Sequence, residues 1–240
     1  MKADSNSQNV FDVSCVRLSR KVEIFEVSVF LFLIVPSMLL SFFAVRPGSL
    51  SFMLVASGTI LRDLALVSLI LFFLWRNGEP VERIGWVFKK GWKDVGLGIG
   101  LFIPLFFGTS LLENALQAAG FSVPATPLPS YMTAKDAAQF LLASVLVLVV
   151  ALAEETVFRG YLILRLRALA GSPAVAVLLS AVIFSLGHGY EGSAGVITVG
   201  FMGVVFGLVY LWRQSLTAPM VMHFLQDFVG IVIAPLFTIK

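Results

Sequence analysis

The chain uses histidine only twice, at His188 and His223, and both lie in strongly apolar segments, as does the adjacent acidic pair Glu154 and Glu155. Ionisable side chains are expensive inside a bilayer, and where they occur they mark relays, substrate paths or reactive sites. The acids stand in Ala153-Glu154-Glu155-Thr156-Val157-Phe158-Arg159-Gly160. Glu155 and Arg159 are four apart, hence on one helix face, with the acid first, which is the favourable order. Glu154 is turned about 100° from its neighbour and finds no partner on its own helix. It must be tied to another helix as a structural acid or be free to take a proton as a general base. Two further pairs follow: Phe184 with His188, and His223 with Asp227, each one helical turn apart. Taken singly, each reads as a satisfied histidine holding helices together. Three such constellations on three successive apolar segments point to a shared reactive site.

The elements that must position these residues cross a membrane. Hydrophobic residues make up 58% of the 240 and charged residues 13%, about half the charge of an ordinary soluble domain. Seven stretches reach or approach the length needed to span a bilayer: 24–45, 52–75, 95–117, 136–158, 173–189, 194–212 and 217–238. The fold class expected is an all-α polytopic membrane protein of about seven transmembrane helices. The fourth helix should run on to about Arg167, until Gly171-Ser172-Pro173 stops it. Between the second and third spans, Ile84, Val87 and Phe88 recur at helical spacing beside Arg83, Lys89, Lys90 and Lys93. With Trp86 and Trp92, they predict an amphipathic helix lying on the membrane surface. Residues 1–23 form a polar tail, and 24–240 a single intramembrane domain with its reactive core at 136–238.

Orientation follows from the basic residues. The N-terminal tail, the 76–94 segment, the 165–172 turn and the Arg213 turn hold twelve Lys or Arg, and the opposite side holds Arg46, Lys135 and Lys240. Cytoplasmic loops carry such an excess, so the N-terminus is expected in the cytoplasm and the C-terminus outside. The first apolar run is too long for a cleaved signal core, which makes it an uncleaved anchor. The Pro-rich loop from Phe121 to Tyr131 then forms an external cap. The one cysteine, Cys15, excludes an internal disulfide and a cysteine-based metal cluster. No basic stripe interleaved with aromatics suggests a nucleic-acid partner.

The ordered trio Glu154-Glu155-x-x-x-Arg159, Phe184-x-x-x-His188 and His223-x-x-x-Asp227 resembles the CPBP (Abi) family. Its members include the CAAX prenyl-protein endopeptidases of the Ras-converting type and bacteriocin-processing or self-immunity proteins. The resemblance implies that Glu154 activates the attacking water with help from His188, while His223 and Asp227 polarise the scissile carbonyl and stabilise its oxyanion. Glu155, Arg159 and Phe184 would support them. Many members carry Asn where this chain has Asp227. Asp227 would therefore be protonated, orient His223, or ligate a metal. Two mechanisms stay open. One is a glutamate-type hydrolysis that needs no cofactor. In the other, Glu154, His188 and His223 hold Zn²⁺ with a fourth position for water, although the chain lacks a His-Glu-x-x-His helix.

The function expected is thus cleavage of a peptide bond in a lipidated or hydrophobic-tailed substrate, in a multi-pass protein of a bacterial plasma membrane. The partners are the lipid bilayer and that substrate. The rival is a proton-coupled transporter or a non-catalytic bacteriocin immunity protein using the same polar residues. Arg62 and Asp63, adjacent in the second span, should point apart and reach different helices, as a clamp or as part of a substrate channel. Glu113 and Asn114 face either the interface or the cavity. Gly203 and Gly207 are spaced for close helix packing.

Overall fold

In the computed structural model the described residues are 18–41, 51–87, 91–124 and 133–238. Cys15, Phe88, Lys89, Lys90 and most of the Pro-rich loop lie outside them. The helices are α1 (Arg20–Ser41), α2 (Phe52–Arg76), α3 (Gly91–Ala118), α4 (Ala137–Glu154), α5 (Ile163–Ala170), α6 (Pro173–Leu186), α7 (Gly192–Arg213), α8 (Thr217–Asp227) and α9 (Ala234–Thr238). Two π-helical segments, Glu155–Leu162 and Phe228–Ile233, join α4 to α5 and α8 to α9 without a break. There is no strand among the described residues.

Among the described residues, five helical stretches are long and apolar enough to cross a membrane: Phe52–Arg76, Gly91–Ala118, Ala137–Ala170, Gly189–Arg213 and Thr217–Phe237. The Pro173–Leu186 helix is apolar but shorter; its 14 residues rise only about 21 Å. Side chains as large as Phe32, Leu61, Phe107 and Leu141 are exposed on the outside of the bundle, where a lipid solvent imposes no penalty. More than half of the apolar window of α7 is buried (56%), against 17% for α2 and for α3, so α7 is the central helix. Gly203 and Gly207 let it approach α6: an added Cβ would meet Ala181 at 3.0 Å and Val177 at 2.9 Å. That is the close packing their spacing predicts.

Local signals set the helix limits. Asp136 caps α4 by accepting from the Gln139 amide at 2.9 Å, while the Gln139 side chain accepts from Lys135 N at 3.0 Å, a reciprocal cap. Gly171 ends α5 with φ 69°, and Ser172 and Pro173 start α6. The long rod expected from the sequence therefore runs to Ala170.

Of the surface helix expected near 84–93, residues 88–90 lie outside the described residues. Val81–Ile84 form one 3₁₀ turn, and α3 is described from Gly91. The described part up to Val87 is not helical after Ile84, and it makes contacts inside the bundle. Trp86 Nε1 donates to Thr156 Oγ1 at 2.9 Å, Gly85 O accepts from Leu216 N at 3.0 Å, and Ile84 is fully buried. Glu79 on the same connection pairs with Arg83 and Arg165. Glu26 of α1 joins this cluster through Arg76 at 2.6 Å and Arg165 at 3.4 Å. Buried charges persist only when paired, and here the pairing ties α1, α2, the 3₁₀ turn and α5 together.

This inward wedge also solves a problem of depth. Counted along their own helices, Glu154 lies about 20 Å from Arg167, whereas His223 lies only about 9 Å from Thr217. A tilt of either helix or a break at Gly160 would close such a gap. Instead the start of α8 is itself set deep. Leu216 packs against Gly160, where an added Cβ would meet Leu216 Cδ1 at 3.3 Å and the Ile84 carbonyl oxygen at 2.7 Å. Gly160 permits this approach because it has no side chain. Counted from that common level, Glu154 is six residues from Gly160 and His223 seven from Leu216, so the two meet at similar depth.

Candidate active site

Glu154 ends α4 and Glu155 opens the π segment. With i→i+5 pairing, one turn takes more than four residues, so side chains at i and i+4 stay nearly aligned on the inner face. Arg159 Nη1 donates to Glu155 Oε1 at 2.9 Å, as their spacing predicts. The same oxygen faces His223 Nδ1 at 2.8 Å. Glu155 is therefore shared between a cation on its own helix and an imidazole on α8, a link that sequence spacing alone does not reveal. Arg159 is held between aromatic rings, 4.2 Å from the Phe184 centroid and 5.1 Å from that of Phe206. Phe206 also stacks on His223 at 5.7 Å. These rings clamp the arginine and the imidazole by cation–π and stacking contacts.

The other imidazole nitrogen, His223 Nε2, faces two carboxylates: Asp227 Oδ2 at 3.4 Å and Glu154 Oε2 at 3.9 Å. Burial separates the acids into two kinds. Glu155, Arg159 and His223 are at most 4% exposed in their side chains, while Glu154 and Asp227 are 18% and 23% exposed. The first three form a buried support, and the last two are partly exposed. Glu154 Oε2 has no hydrogen-bond partner.

His188 closes α6. Its Nδ1 lies 3.3 Å from the Phe184 carbonyl oxygen, and its ring is 5.1 Å from the Phe184 ring. Phe184 is also 6.0 Å from His223, so both imidazoles flank one phenyl ring. With Nδ1–H directed at a carbonyl, Nε2 of His188 is left as the acceptor. All seven residues singled out from the sequence thus gather around Phe184 and His223.

The neighbourhood holds groups that sequence reasoning missed. Tyr190, in the 3₁₀ turn Gly189–Glu191 directly after His188, has its ring 6.1 Å from that histidine. It lies within electrostatic reach of Glu191, Glu154 and Asp227. Glu191 in turn lies within electrostatic reach of His188, Asp227 and Glu113. The position next to His188 was the available signal for the pair. Phe206 gave none, since one phenylalanine in an apolar helix looks like any other. The expectation for Arg62 and Asp63 is corrected. They do not reach different helices but pair with each other, Arg62 Nε donating to Asp63 Oδ1 at 2.9 Å. Both lie within electrostatic reach of Glu154. The arginine side chain is long enough to fold back on its neighbour once Asp63 is buried between α2 and α4.

A zinc site would need Glu154, His188 and His223 to close on one point. Among the described residues no group of three or more His, Cys, Asp or Glu side chains is arranged to hold a metal ion. His223 also has both ring nitrogens turned to carboxylates.

No curated protein and no solved structure matches the chain. A family model described as Type II CAAX prenyl endopeptidase Rce1-like matches residues 136–229. The matched segment begins at the cap of α4 and ends just past Asp227, so it includes all three motifs. Over this segment the chain is similar to that family, and its long apolar helices are those of a multi-pass membrane protein.

Proposed function

We propose that the protein is an intramembrane endopeptidase that cleaves a peptide bond in a lipidated or hydrophobic-tailed substrate by a glutamate-type hydrolysis. The observation that carries the reading is the convergence on His223 of carboxylates from two helices, with Glu154 Oε2 3.9 Å from Nε2 and without a hydrogen-bond partner. Glu154 is the general base. It takes a proton from a water whose other hydrogen is accepted by His188 Nε2, and the resulting hydroxide attacks the scissile carbonyl. His223 can satisfy carboxylates at both nitrogens only with an N–H on each. Its Nε2–H is then the donor for the developing oxyanion, and Glu155 at Nδ1 fixes the ring. Asp227, 3.4 Å from Nε2, orients the imidazole before substrate arrives. The proton held by Glu154 finally passes to the leaving amine, which restores the carboxylate.

The test is the purified protein in proteoliposomes with membrane-anchored peptides, prenylated and unmodified, read by mass spectrometry of the products. Discrete fragments are expected, at a rate that 1,10-phenanthroline leaves unchanged. Absence of any cleavage in a folded, inserted sample would return the protein to the transporter or immunity class. Inhibition by the chelator, reversed by added zinc, would overturn the metal-free route.

The orientation belongs to the same reading. The pairs Glu26–Arg76, Glu79–Arg165 and Asp94–Arg213 lie at the end of the bundle that carries most of the basic residues. That end faces the cytoplasm, so the C-terminus lies outside. A reporter that fluoresces only in the cytoplasm should be bright at the N-terminus and dark at the C-terminus; the reverse pattern overturns the orientation.

A further inference from the structure

Hydrolysis at this site would place a full negative charge on the former carbonyl oxygen, and fixed donors directed at that oxygen are usually the largest single source of rate in acyl transfer. His223 Nε2–H is one such donor. Asp227 beside it, when ionised, offers only acceptors. Arg159 is 1% exposed behind the Phe184 and Phe206 rings, and Arg62 is taken up by Asp63. A second donor would come from another element.

Tyr190 brings an O–H to this place. It follows His188 by two residues, half-buried, with the two rings 6.1 Å apart and inclined at 33°. Asp227 and Glu154 are both within its electrostatic reach, so it neighbours groups from α4, α6 and α8. The 3₁₀ turn that carries it, Gly189–Glu191, is anchored at both ends. Glu191 N donates to the His188 carbonyl oxygen at 2.9 Å. Past the turn, Gly192 has φ 74°, and a Cβ there would lie 2.6 Å from the Ser122 carbonyl oxygen; glycine meets both conditions. Ser122 N donates to Ser193 Oγ at 2.9 Å, Ser193 N to Ser122 Oγ at 3.0 Å, and Ala194 N to the Ser122 carbonyl oxygen at 3.0 Å. The turn is thereby stapled to the segment that follows α3. A donor held on such a turn needs no rearrangement as charge develops.

We propose that Tyr190 is a further catalytic residue, its phenolic O–H donating to the oxyanion alongside His223 Nε2–H. This rests on the peptidase reading above and adds a residue to it. The phenol shares its proton with the oxyanion and does not transfer it, so the water proton still travels through Glu154 to the leaving amine.

The experiment uses the full-length protein in proteoliposomes with membrane-anchored peptides, and with a phosphinate analogue of a cleaved peptide, in which a tetrahedral, anionic phosphorus group replaces the scissile carbonyl. Tyr190→Phe keeps the ring beside His188 and removes the hydroxyl. It should lower kcat by about 10²- to 10³-fold, the usual effect of removing one oxyanion donor, with KM unchanged. The inhibition constant of the phosphinate should rise by a similar factor, because that compound presents the charged oxygen. The ratio of this constant to KM is internal to each variant, so a reduced folded fraction cancels. A Tyr190→Phe protein that cleaves at the wild-type rate, or one that loses kcat while the ratio stays at its wild-type value, overturns the oxyanion role and leaves the peptidase reading standing. Cleavage of no peptide by the wild type overturns both.

Discussion

Glu154→Gln should lose turnover by about 10²- to 10⁴-fold, the range of a positioned general base, while the protein stays folded and inserted. The amide has the shape of the acid, but its oxygen is far too weak a base to take a proton from water. The change should cost little stability. Glu154 Oε2 makes no hydrogen bond that the substitution would break, and the side chain is partly exposed. Asp63 and Asp227 share its surroundings, so removing one negative charge relieves repulsion among the acids. The expected pattern is a melting temperature in detergent equal to or above that of wild type, alongside a collapse in cleavage. A Glu154→Gln protein that still cleaves near the wild-type rate would remove the base from the mechanism. A loss of rate accompanied by a large fall in melting temperature would make Glu154 a structural acid.

How much of this site could be read from the sequence depended on whether the contact was local. Glu155 with Arg159, Phe184 with His188 and His223 with Asp227 each lie one turn apart, and helix geometry alone brings each pair together. The contact between Glu155 and His223 spans 68 residues and needs the depth of α8, which hydropathy does not encode. That depth is set by Gly85, Gly160 and Leu216. A glycine is a weak helix former, yet Gly160 is where the 3₁₀ wedge and the start of α8 pack against the rod. The inward turn of 81–87 was misread for a related reason. Trp86 beside basic residues has the composition of a surface helix, and only Thr156, seventy residues away, shows that its indole is claimed from inside. Arg62 and Asp63 were conspicuous as charges in an apolar span, but the folding of one side chain back on its neighbour depends on how deeply α4 buries the acid.

Arg159→Met should destabilise the protein by about 3–5 kcal/mol, the cost of leaving one partner of a buried pair uncompensated. Glu155 is fully buried and its Oε2 has no partner, so without the guanidinium its charge is balanced only by His223. Two ring contacts, to Phe184 and Phe206, weaken at the same time. Arg159→Lys should be milder, because it keeps the charge while giving up the planar stacking. The informative variant is the double one. Glu155→Gln in the Arg159→Met background removes the orphaned charge, and replacing both members of a buried pair is often close to neutral. Thermal unfolding should therefore recover much of the loss, a coupling that a double-mutant cycle measures directly. Cleavage should not recover with it. A neutral amide at position 155 can still accept a hydrogen bond from His223 Nδ1, but it no longer stabilises a charged imidazole, so the oxyanion donor stays weak. If stability and cleavage returned together, Glu155 and Arg159 would be scaffolding for His223 and nothing more. If neither returned, the aromatic clamp around Arg159, rather than its charge, would hold α6, α7 and α8 on the reactive acid.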